Sequence, residues 1–128
     1  MARTHNDITE TFVVMDADKN ATTVAFTPSI FEEIAREFDG FRGCELIAGF
    51  DFDSDWDHWE VHPNGDEVGI LLAGEVTFLL EKAGSTESVR LSRGGEFVIV
   101  PAGIWHTART AAPTRMLFVT PGEGTRHG

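Results

Sequence analysis

At 128 residues the chain is long enough to bury a real core and too short for two domains of ordinary size. Hydrophobic residues make up 41% and charged residues 24%, the balance of a soluble globular protein. Ten Lys and Arg against 21 Asp and Glu leave a net charge of −11, which repels phosphate backbones and anionic membranes and argues against nucleic-acid or lipid-surface binding. Cys44 is the only cysteine, so no intrachain disulfide can form. Residues 1–7 lack the apolar run of a signal peptide, and nowhere is there an apolar run of bilayer length. A cytoplasmic protein is the expectation.

Residues 8–14 read as a short strand. Thr27-Pro28-Ser29 then opens a segment with Ile30, Phe31, Ile34, Ala35 and Phe38 at helical spacing, closed by Gly40. Either Thr27 as N-cap with Pro28 after it, or Ser29 with Glu32 as a capping box, would start this helix. Its Ile30/Phe31/Ile34/Phe38 face must lie against something apolar. From Cys44 onward, short runs of Val, Ile, Leu and Phe alternate with turn residues such as Asn64-Gly65, Gly74, Gly94-Gly95 and Pro101-Ala102-Gly103. Strands are predicted near 44–52, 56–62, 66–73, 75–82, 86–91, 96–100, 105–110 and 114–120. That pattern points to an all-β sandwich or barrel rather than alternating strands and helices. One domain over 1–128 is expected, with an N-terminal arm and helix in 1–42 and the barrel in 43–122.

Strand side chains alternate between faces, so His58, Glu60 and His62 point one way and Asp57, Trp59 and Val61 the other. Burying Trp59 and Val61 would leave the three polar residues in water, and this strand alone favours that reading. Two features change the balance. Asn64-Gly65 permits a reversal that returns Glu67 towards His62, and a later Pro/Gly turn sets His106 at the start of a strand.

The spacing Glu60-x-His62-x4-Glu67-x6-Gly74, followed by Gly95-x5-Pro101-x-Gly103-x2-His106-x3-Thr110, resembles the two motifs of the cupin superfamily. The match is good in spacing. In identity, Glu60 stands where a first histidine is expected, Thr110 stands where asparagine is expected, and Phe52-Asp53 leave no glycine just ahead of the first motif. The stretches around Trp59–Glu67 and Trp105–Ala108 also resemble a bacterial group of small single-domain cupins without an assigned reaction.

The resemblance implies a jelly-roll barrel, or double-stranded β-helix, holding a divalent metal. Carried over by position, the ligands are His62, Glu67 and His106, with Glu60 in the fourth ligand position. Glu60 is either a direct ligand or an acceptor that orients a ligand histidine. Two histidines and two carboxylates make a divalent site formally neutral, and the extra hard oxygen favours Fe or Mn, with Zn and Ni as further candidates. His58 is the nearby general base. With four protein ligands, an octahedral ion keeps about two positions for a small-molecule ligand. An enzyme of dioxygenase or Lewis-acid isomerase/lyase type is one reading, and a non-catalytic metal- or metabolite-binding module is the alternative. Cupins are often dimers, so the resemblance implies a homodimer.

Overall fold

The computed structural model describes residues 6–128, so part of the stretch read for a leader lies outside it. Among the described residues eleven strands form two antiparallel sheets. They are β1 (Thr11–Met15), β2 (Ala21–Ala25), β3 (Glu45–Phe52), β4 (Glu60–Val61), β5 (Glu67–Ala73), β6 (Val76–Lys82), β7 (Ser85–Leu91), β8 (Phe97–Val100), β9 (Trp105–Arg109), β10 (Thr114–Thr120) and β11 (Arg126–His127). One sheet runs β2-β1-β3-β10-β5-β8 and the other β11-β4-β9-β6-β7. From β3 onward successive strands alternate between the sheets, except for the β6–β7 hairpin, the mark of a jelly roll rather than of a simple meander. No helix among the described residues is long and apolar enough to cross a membrane.

Alternation along the strands builds the core. Leu71, Phe78, Leu80, Val98, Val100, Ala108, Met116 and Phe118 point inward from both sheets and are buried together. Each fully buried Leu or Phe side chain contributes about 1.5–3 kcal/mol over an exposed one. A second cluster lies where helix α1 (Ile30–Glu37) covers β1 and β3, joining Ile30 and Ile34 to Phe12, Val14, Phe41 and Leu46. Phe50 packs against both clusters.

Most predicted strands form close to the expected bounds, and the exceptions have local causes. The N-terminal strand begins at Thr11 because Asp7 caps a turn, accepting hydrogen bonds from the Thr9 amide and hydroxyl. β2 was not expected. It forms a hairpin with β1 after a turn in which Asp16 Oδ1 accepts from the Asp18 and Asn20 amides. In the helix, Ile30 and Ile34 are buried but Phe31 is exposed, about 100° round the axis from Ile30. The capping box with Glu32 does not form; the Ser29 and Thr27 hydroxyls instead donate to Glu33 Oε1.

The expected strand 56–62 shrinks to Glu60–Val61. Its first half is drawn off the ladder because Trp56 turns into the core, against Phe52, Phe78 and Phe118. The Trp56 amide donates to the Ala108 carbonyl, and Asp55 Oδ1 accepts from the Thr110 amide. Thr110 spends its own hydroxyl on the Glu75 carbonyl, at the end of the barrel.

Candidate metal centre

Three strands and two turns bring the polar residues together. His62 leaves β4 and Glu67 opens β5, with the turn 63–66 between them. That turn is tied to the one carrying His106, since Gly103 N–H donates to the His62 carbonyl and Ala102 N–H to Asp66 Oδ1. Gly103 has φ +77°, a conformation a side chain would resist, which is why glycine is needed here. Glu60 lies directly opposite His106 in the β4–β9 ladder and opposite His127 in the β11–β4 ladder.

His62, Glu67 and His106 are all buried, and their functional atoms converge. His62 Nε2 is 3.3 Å from Glu67 Oε2, and His106 Nε2 is 3.1 Å from Glu67 Oε1. His106 Nε2 is also 4.0 Å from Glu60 Oε1, on a side chain that remains partly exposed. Glu60, His62 and His106 each offer a ligand atom within 4.8 Å of the other two. The cluster therefore contains all four predicted ligand positions.

The tautomers follow from the outer hydrogen bonds. The Thr125 hydroxyl donates its one proton to the Gly122 carbonyl, so it must accept from His62 Nδ1–H at 2.8 Å. His106 Nδ1 faces the Ile104 carbonyl at 3.3 Å, which can only accept. Both Nε2 atoms then carry a bare lone pair aimed inward. His62 Nε2, His106 Nε2 and Glu67 Oε1 are all buried without a hydrogen-bond partner. Three buried acceptors facing one another are costly unless a cation lies among them.

The electrostatics agree. Burial alone would raise the Glu67 carboxyl, yet the His106 and His62 rings beside it, when they carry a second proton in place of a metal ion, hold it at about 2. Burial would likewise lower the His106 ring, but the Glu67 carboxylate outweighs this and raises it. The field that draws a proton into this cluster draws a metal ion equally well. The donor set, two imidazoles and carboxylates with the second nitrogens fixed by outer partners, fits a divalent transition metal.

His58 stands at the mouth, Nε2 3.4 Å from Glu60 Oε2 and Nδ1 2.7 Å from Asp57 Oδ1. Burial lowers its affinity for a proton, but the hydrogen bond it donates to Asp57 and the charge of Glu60 prevail and raise it. Trp56 stacks on the His58 ring at 5.9 Å and meets the His106 ring edge-on at 6.2 Å. Thr125, His127 and Thr120, whose hydroxyl donates to Glu67 Oε2 at 2.6 Å, were missed in the sequence. The only signal for the first two is a polar Thr-Arg-His run after the Pro121-Gly122 turn.

Two open grooves of about 460 and 240 Å³ lie elsewhere, beside the Asp51–Arg115 and Glu75–Arg90 ion pairs. They hold no buried donor set, so the convergent cluster is the better candidate despite its small size.

Comparison with known proteins agrees with this geometry. The cupin domain family matches residues 53–120, more than half of the chain. Among curated protein sequences none matches. A cupin-2 domain containing protein from Shewanella frigidimarina NCIMB 400 superposes with a TM-score of 0.51 and 18% identity, covering 60% of this chain and 70% of that one. Oxalate oxidase gives 0.54 and 20%, covering 63% and 44%. Hydroquinone 1,2-dioxygenase from Sphingomonas sp. TTNP3, with 4-hydroxybenzoate bound, gives 0.52 and 16%, covering 59% and 58%. This chain thus spans less than two thirds of either enzyme, and at such identities the likeness concerns the fold alone. By its motifs, its two-sheet barrel and the family match, the chain belongs to the cupin domain family.

Proposed function

We propose that this protein is a divalent-metal cupin acting on a small organic molecule, with His62, Glu67, His106 and Glu60 as ligands. One observation carries the reading: His62 Nε2, His106 Nε2 and Glu67 Oε1 are buried, mutually close and without hydrogen-bond partners. Fe or Mn, favoured by the two carboxylates, would supply O2 activation or Lewis-acid polarisation there. Oxalate oxidase and hydroquinone 1,2-dioxygenase, which share the fold, lend support to the oxidative version.

The chain's own residues divide the remaining tasks. Thr125 and the Ile104 carbonyl hold the two imidazoles with their lone pairs inward. Thr120 anchors one oxygen of Glu67 and leaves the other free. Asp57 holds His58 Nδ1–H, which leaves Nε2 facing the mouth to take a proton from a bound substrate. Trp56, Phe78 and Phe118 line the interior with apolar surface and exclude water.

Metal analysis of protein purified without a nickel column tests the site. One tightly held ion per chain is expected after exhaustive washing, lost in the folded Glu60→Ala/His106→Ala double variant; full metal in that variant would sink the reading. Oxygen consumption by the Fe(II) form with small diols, thiols and keto acids tests the oxidative version. The second reading, a non-catalytic binding module, is favoured by Trp56, which fills barrel space beside His106 that a substrate would need. Retained metal without turnover across that panel would select it.

The proposal includes a homodimer. β8 ends its sheet, and its exposed Phe97 and Ile99 continue across Ile70 and Val68 to Leu117 and Val119. This apolar outer strip on an edge strand suits a second copy of the chain.

A further inference from the structure

We propose that the barrel mouth carries a second divalent-cation site, of zinc type, built from His58 Nε2, Glu60 Oε2 and His127 Nε2. These three atoms lie within 4.8 Å of one another. His127 Nε2 is 3.0 Å and His58 Nε2 3.4 Å from the same oxygen of Glu60. The other oxygen of that carboxylate faces inward, 4.0 Å from His106 Nε2. Glu60 therefore serves two clusters with two different atoms. Its inward role rests on the reading of the buried centre given above, whereas the mouth donors stand without it.

The mouth cluster is held in position from several sides. Asp57 Oδ1 engages His58 Nδ1 at 2.7 Å, so a neutral ring turns its bare Nε2 towards Glu60. A carboxylate on the far nitrogen is also the usual outer partner of a metal-bound histidine. Trp56 stacks on one side of the His58 ring, and the His127 ring meets it at 5.0 Å. Trp59 and Gly128 exchange both backbone hydrogen bonds, at 2.8 and 2.9 Å, which fixes β11 against β4 and His127 above Glu60.

Two histidines, one carboxylate and a solvent-facing fourth position form the donor set of an open zinc site. Partial exposure makes such an ion exchangeable, and the net charge of −11 concentrates cations around the mouth. An ion there would occupy the lone pair through which His58 takes a proton. The mouth site would thus oppose turnover rather than assist it.

Equilibrium dialysis of the whole chain against zinc tests this. Wild type is expected to bind two ions. His127→Ala and His58→Ala should each keep the buried ion and lose the outer one, and Asp57→Ala should weaken the outer one by about 10–100-fold. His62→Ala/His106→Ala should keep the outer ion only. One ion in wild type, untouched by His127→Ala, would overturn the mouth site and leave the buried one standing. A single ion lost alike in every variant would overturn it too. A single ion lost in His127→Ala but kept in His62→Ala/His106→Ala would support the mouth site and remove the buried centre instead. Circular dichroism of each variant separates lost binding from lost fold.

Discussion

Thr125 decides which nitrogen of His62 is available, although it touches no predicted ligand atom. Its hydroxyl, committed to the Gly122 carbonyl, accepts the Nδ1 proton and so keeps Nε2 bare. Thr125→Val should lower metal affinity about 10–100-fold, read by competition with a chelator, while Thr125→Ser restores it. Glu67→Gln has a different expected outcome. With its nitrogen in the place of Oε1 the amide can donate to His106 Nε2 while its oxygen keeps the Thr120 hydrogen bond, so the metal-free protein should melt no lower than wild type. Metal binding should nevertheless disappear, and the melting temperature should no longer respond to added metal. The four residues proposed as ligands could be singled out in the sequence because Gly and Pro at fixed offsets set the two turns that carry them. Thr125 was not, because a lone threonine in a Gly-rich tail resembles any solvated turn residue.

At the level of elements, the strand pattern was readable wherever one face meets the core. It failed where a residue leaves the alternation. Trp56 gives up its place in a strand to fill the barrel, and the segment before Glu60 becomes loop. β2 escaped notice because it is an edge strand, largely exposed, with Val24 alone turned towards the core. β11 is two residues long and held mainly by backbone pairing, which leaves no trace in composition. The motif glycine at 74 has a clear structural reason. It adopts φ +89°, and a Cβ there would lie 2.2 Å from the Pro113 carbonyl oxygen. Gly74→Ala should therefore cost about 1–3 kcal/mol or more, seen as a lower urea midpoint. The change lies at the turn joining β5 to β6, remote in sequence from His106, so any metal lost with it would report on barrel closure.

For the whole molecule, the two sheets differ in what their outer surfaces offer. The sheet ending in β8 presents Phe97 and Ile99 at 59% and 52% exposure, too apolar to be a typical monomer edge. The proposed homodimer uses this edge, so light scattering should find a dimer for wild type and a monomer for Phe97→Lys/Ile99→Lys at the same concentration. Metal content should be unchanged, because both side chains point away from the barrel interior that holds His62, Glu67 and His106. The helix packs with β1 and β3 in a cluster of its own, apart from that edge. This arrangement follows from the strand order, which pattern alone does not specify: periodicity tells which residues face inward, and pairing tells where the edges fall.

Trp56 also gives the protein an optical consequence. Its indole lies 6.2 Å from the His106 ring and 5.9 Å from the His58 ring, between the buried cluster and the mouth. An open-shell ion at either cluster would quench its fluorescence at that range, whereas closed-shell zinc would leave most of the emission. Against the emission of Trp59 and Trp105, Trp56 would thus report which kind of ion binds the barrel, without label or substrate.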